Sequence, residues 1–233
     1  MSRKRTGGIQ EDPADSDPYY DWGWVAQSLG KTRTAIARYR QSIRVRNYYK
    51  AHYNVGTIWL ARRRYRDAVK AFRAAIKARP DLSEAYNNLG VALDHLGERR
   101  NAMTAYARAI ALDPRDPTAF VNLGRDLARR GQRQRARALF RKALTLRPRD
   151  LETKRWVGYA LIESGLAVAD GIRLLEVVRQ RRKDSLLLSD LAEGYQRIGM
   201  VKKAERLLRQ SKALASDDKA EQRGAEQRGQ IWS

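Results

Sequence analysis

Cysteine is absent from this chain, and histidine occurs only as His52 and His95. Without thiols there is no disulfide framework, no thiolate nucleophile and no thiolate metal site. The two histidines are far apart in sequence and lack a clustered set of carboxylates, so neither reads as a ligand or a general base. Apolar runs stay well short of the roughly 20 residues needed to span a bilayer. The basic start "MSRKRTGGIQ" has no apolar core of the kind a secretory signal needs. A phosphate-cradling GxxxxGK loop is missing too, and "GK" at Gly30-Lys31 reads as a helix turn. The expectation from these absences is a non-catalytic, cytoplasmic protein without cofactor or metal. Negative charge is the last scarcity. Against 26 acidic residues stand 48 basic ones, a net charge of +22 over 233 residues. Such an excess attracts nucleic acid, anionic lipid or acidic protein through a summed long-range field. The alternative for any one arginine is a solvated helix face.

What the sequence does have is a period. Gly56, Gly90, Gly124 and Gly158 follow one another at 34 residues. Pro80, Pro114 and Pro148 keep that step, as do Ala68, Ala102 and Ala136, and Phe72, Tyr106 and Phe140. Four columns sharing one period define an internal repeat. Each unit contains two amphipathic stretches joined near Gly30, Gly97, Gly131, Gly165 or Gly199, the pattern of an antiparallel helix pair. Glycine and alanine at fixed positions predict close approach of the two helices, and the prolines predict the end of the second helix.

The unit Tyr86-x-x-Leu89-Gly90-x-x-Leu93, Ala102-x-x-x-Tyr106-x-x-Ala109, Pro114 resembles the tetratricopeptide repeat in residue type and spacing. The resemblance is strongest over 49–82, 83–116 and 117–150, and weaker over about 16–48, 151–184 and 185–218. It implies an all-α, right-handed solenoid of stacked helix pairs, with the first helices lining a concave groove. Unit 151–184 departs most, with Lys154, Asp170 and Arg182 in the columns of the aromatic, the alanine and the proline, and is where an irregular join is expected. Residues 1–15 read as a disordered N-terminal segment, and 219–233 as a polar, flexible tail built on "AEQRGAEQRG".

Candidate binding residues come from the same columns. Asn54, Asn88 and Asn122 each precede the Leu/Val-Gly pair. An amide row can pair with the backbone of an extended peptide, and this row resembles the asparagine ladders of some tetratricopeptide domains. Tyr53, Asn87, Arg125, Arg129, Arg155 and Tyr159 fall on the same lining, with the arginines suited to an acidic or polar stretch of the partner. The family's clamp for acidic chaperone tails needs lysine or arginine at positions that are here Tyr53, Thr118 and Asn122, or their equivalents in the neighbouring registers, so that specificity is excluded. A second candidate site is a basic ridge at the inter-helix turns: Arg62, Arg63, Arg64 and Arg66, then Arg99 and Arg100, then Arg130, Arg133 and Arg135. It suits a polyanion, RNA more than a specific DNA site, since no recognition helix or zinc motif is present. The reading is an interaction scaffold or assembly subunit with a protein partner. A nucleic-acid-binding protein, or a structural subunit on an acidic complex or anionic membrane surface, are the alternatives.

Overall fold

In the computed structural model the described residues are 17–182 and 184–230, with side chains described through residue 216. The expectation for residues 1–15, and that for the last three residues of the tail, lie outside them. The described residues form twelve α-helices and no strand. They fall in two compact units, Met1–Leu112 and Asp113–Ser233.

The first unit holds three pairs: α1 (Pro18–Ser28) with α2 (Thr32–Arg46), α3 (Tyr49–Ala61) with α4 (Tyr65–Ala78), and α5 (Ser83–His95) with α6 (Arg99–Leu112). The second holds α7 (Pro117–Arg129) with α8 (Arg133–Leu146), α9 (Leu151–Glu163) with α10 (Val168–Arg179), and α11 (Ser185–Arg197) with α12 (Val201–Gln230). Helix α12 thereby takes in most of the segment read from sequence as a polar tail. No helix among the described residues is long and apolar enough to cross a membrane.

Local chemistry sets the ends of these helices. The side chains of Asp17, Asp116, Asp150 and Asp184 accept backbone N–H bonds at the starts of α1, α7, α9 and α11, at 2.8–3.0 Å for the shortest bond of each. That satisfies donors the helix itself cannot. Between paired helices the chain turns through a left-handed residue, glycine at 30, 97, 131, 165 and 199, with φ from 64 to 79°. In the α3–α4 turn the same place is taken by Arg63, at φ 58°.

The glycine column explains the close pairing. A Cβ on Gly56, Gly90 or Gly124 would come within 2.5–2.6 Å of the ring of Phe72, Tyr106 or Phe140, each sixteen residues on. Those rings are buried. Gly23 and Tyr39 repeat the arrangement in α1–α2. Unit 151–184 breaks it. There Leu175, not Leu174, is the fully buried partner of Gly158, and Val178 is buried while Val177 is exposed. Helix α10 is thus shifted by one residue against the 34-residue register. The shift brings Gly171 onto Gly158: a Cβ at 171 would lie 2.6 Å from the Gly158 carbonyl oxygen. This locates the irregularity expected there.

Candidate binding cleft

In the second unit the first helices α7, α9 and α11 open a cleft of about 500 Å³. Its lining comes from four columns of the repeat. Thr118 and Leu186 share one column; Val121 and Arg155 share the next. Asn122, Trp156 and Asp190 occupy the third, and Arg125 and Tyr159 the fourth. Trp156 is 39% exposed and Leu186 61% exposed. Large apolar side chains left open in a concave wall, with polar groups beside them, make a ligand site.

The charges around this cleft are paired within the fold. Arg125 holds Glu163 with two parallel hydrogen bonds, at 2.8 and 3.1 Å, and Arg129 adds a third at 3.2 Å. Burial pushes the Glu163 carboxyl up, but these arginines outweigh it and hold the group below its ordinary value. Arg155 lies 3.5 Å from Asp184 and 3.7 Å from Asp190. Burial pushes Asp190 up to about 6, with Arg155 opposing and the Glu193 and Asp184 charges reinforcing the rise. Tyr159 is also raised, by burial and by Glu163 and Glu193. The three arginines expected to meet an acidic partner therefore already face carboxylates, and the cleft offers an apolar wall with balanced charge at its rim.

The first unit presents the same columns differently. Tyr20, Tyr49, Lys50, Tyr53, Asn54, Leu82 and Glu84 line a smaller hollow of about 160 Å³. Here the asparagines are tied to tyrosines of the preceding repeat. The Nδ2 of Asn54 donates to the hydroxyls of Tyr39 and Tyr20 at 3.1 and 3.3 Å, and that of Asn88 to Tyr53 at 3.0 Å. Two of the three ladder asparagines thus spend donor capacity inside the fold. Asn87 is buried, 6% exposed, and donates to the Asn88 Oδ1 at 3.4 Å. Asn122 is the ladder residue that lines the larger cleft.

The arginines of the turns divide into two groups. Arg62, Arg63, Arg66, Arg99 and Arg100 are exposed in the first unit. Arg64 is bound to Asp67 at 2.6 Å and stands over the Trp59 ring. In the second unit Arg130 lies 2.9 Å from the buried carboxylate of Asp126, an ion pair whose atoms are not aligned as a hydrogen bond. Arg133 donates to the Gly165 carbonyl and Arg135 to Gln132. His52 bonds Asn47, and His95 stacks on Tyr65 at 4.4 Å. Among the described residues no cluster of carboxylates and histidines could hold a metal ion.

Sequence reasoning met Thr118 only as a clamp position without its cation, and gave no role to Val121, Trp156, Leu186 or Asp190. The repeat itself carried the signal, because residues 34 apart on first helices are neighbours. Arg129 and Glu163 are separated by that step.

Two models of the tetratricopeptide repeat match the chain, one over residues 20–65 and 60–117, the other over 117–150. Among curated proteins no sequence matches. Solved structures of similar fold include PilW, described as a widely conserved type IV pilus biogenesis factor. It has a TM-score of 0.68 at 20% identity, covering 84% of this chain and 91% of PilW. TTC0263, a tetratricopeptide protein of Thermus thermophilus, aligns with a TM-score of 0.65 at 21% identity, over 73% and 93% of the two chains. YrrB, described as having an unusual peptide-binding site, aligns with a TM-score of 0.53 at 21% identity, over 77% and 92%.

Proposed function

The chain belongs to the tetratricopeptide repeat family, an all-α solenoid of helix pairs, and from that premise we propose a non-catalytic interaction scaffold that seats an extended or helical partner segment on α7, α9 and α11. The observation that carries this reading is the 500 Å³ cleft with Trp156 and Leu186 exposed in its wall. An apolar side chain of the partner would cover these two residues. Aromatic anchors in a concave wall dominate binding energy at such sites. Asn122 places an amide in the cleft wall beside the segment, and Arg125 and Arg155 border it as groups already neutralised by Glu163, Asp184 and Asp190. Balanced charge favours a partner selected by shape and an apolar anchor over one selected by acidity. The arginines exposed at the turns add a long-range attraction that speeds encounter with acidic surfaces. One neighbour points the same way at the level of its printed description: YrrB, with its unusual peptide-binding site.

Selection of random peptides on the full chain tests the reading. Selected peptides are expected to share a large apolar residue. Their affinity should fall at least about tenfold with Trp156→Ala, the loss of one interface anchor, and stay unchanged with Trp22→Ala on α1. Peptides that share only acidic residues, or that bind Trp156→Ala equally well, would refute it.

A further inference from the structure

The turn between α11 and α12 differs in chemistry from the α5–α6 and α7–α8 turns. Ile198, Met200 and Val201 stand there, 45%, 46% and 54% exposed. At the same repeat positions the α5–α6 turn carries Leu96, Glu98 and Arg99, and the α7–α8 turn carries Arg130, Gln132 and Arg133. Of these six, Glu98, Arg99, Gln132 and Arg133 are exposed in the interior of the chain. Exposure at the positions of Met200 and Val201 therefore belongs to the turn and not to the end of the array, while Ile198 is more exposed than its half-buried counterparts Leu96 and Arg130. At the positions of Met200 and Val201 the side chains have changed from polar or charged to apolar.

Cations surround this apolar tip. From residue 197 to 216 the sequence has six lysines and arginines and a single carboxylate, Glu205. Lys202, Lys203 and Arg206 line a cleft of about 450 Å³ beside α10 that also contains Arg179. A small network fixes two of these four charges. Glu176 accepts from Arg179 at 2.6 Å and from the Tyr195 hydroxyl at 2.8 Å, and Lys203 donates to that hydroxyl at 2.7 Å. Lys202 and Arg206 are exposed and have no carboxylate partner among the described residues. One carboxylate for four cations leaves the cleft strongly positive.

We propose that this end of the molecule docks on an anionic bilayer surface, with Ile198, Met200 and Val201 entering the headgroup region and Lys202, Lys203 and Arg206 pairing with lipid phosphates. Three exposed apolar side chains on one turn, with cations on the helix that follows, match the two demands of an interfacial site, apolar area and attraction to anionic lipid. Nucleic acid fits less well, because single-strand binding relies on stacked rings. The local ring, Tyr195, is buried under Lys203 at 4.0 Å. A soluble phosphate group would engage the cations but leave the apolar tip without a role.

The cysteine-free chain makes the test clean. An environment-sensitive dye is placed on the full chain at Met200→Cys and, separately, at Arg99→Cys in the α5–α6 turn. Each protein is titrated with phosphatidylcholine vesicles, with and without phosphatidylserine. The expected result is a blue shift at position 200 that requires phosphatidylserine, and none at position 99 with either vesicle. Lys202→Ala with Arg206→Ala should weaken vesicle binding about 25-fold, from about fivefold for each cation removed. No shift at position 200, an equal shift at position 99, or a shift at 200 with duplex RNA but not with vesicles would overturn the proposal. All these variants lie off the α7–α9–α11 cleft, so this failure and that of the peptide reading are separable.

Discussion

Asp190 stands in the column that holds asparagine at 54, 88 and 122, and it is buried. An ionised carboxylate in that place is disfavoured, and its value rises to about 6. For a carboxyl raised in the folded state, the stability it contributes is complete below the unfolded value near 4 and is lost as pH rises through about 6. At neutral pH the native chain therefore carries the cost of a buried charge. Asp190→Asn removes that charge and leaves Arg155 with Asp184. The variant should be more stable than the native chain by about 1–2 kcal/mol at neutral pH. The gap should close as pH falls toward about 4. Thermal melts of both proteins across this range check it. A variant that melts lower at neutral pH would mean that the Arg155 pair outweighs the burial. Glu163 runs the other way, losing its contribution as pH falls, but it is common to both proteins and cancels in the difference.

Among the elements, the pairing of first and second helices rests on glycine against what each one meets. At Gly90 an added Cβ would strike the Tyr106 ring, which can tilt; at Gly171 it would strike the Gly158 backbone, which cannot. Gly171→Ala should therefore destabilise more than Gly90→Ala, by about 2–3 against about 1–2 kcal/mol, after allowing for the better helix propensity of alanine. Denaturant melts rank the two, and the reverse order would contradict the packing described for α9 and α10. The helix pairs themselves were legible in the sequence, because columns at one period fix both the faces and the turns. The one-residue shift of α10 was not, since reading by columns assumes a constant register, and the clue was a lone glycine beside the aspartate of the alanine column. At the candidate site the asparagine row was legible as a pattern, but its tyrosine partners were not, because hydroxyl positions depend on how neighbouring repeats are packed. The arginines looked free for the same reason. Their carboxylates lie 29 to 38 residues away, on other helices or at their caps.

The whole molecule is a strongly basic scaffold whose two compact units use the same columns for different ends. In the first, tyrosines and asparagines close on one another; in the second, Trp156 and Leu186 leave an open apolar wall. The account stands on that contrast. Hydrogen exchange of the full chain, measured with and without a peptide selected on it, tests the claim most directly. The account predicts added protection confined to α7, α9 and α11, around residues 118–125, 153–159 and 186–190, with α3 and α5 unchanged. Protection centred on the arginine turns, or on the tyrosine-lined hollow of the first unit, would contradict it.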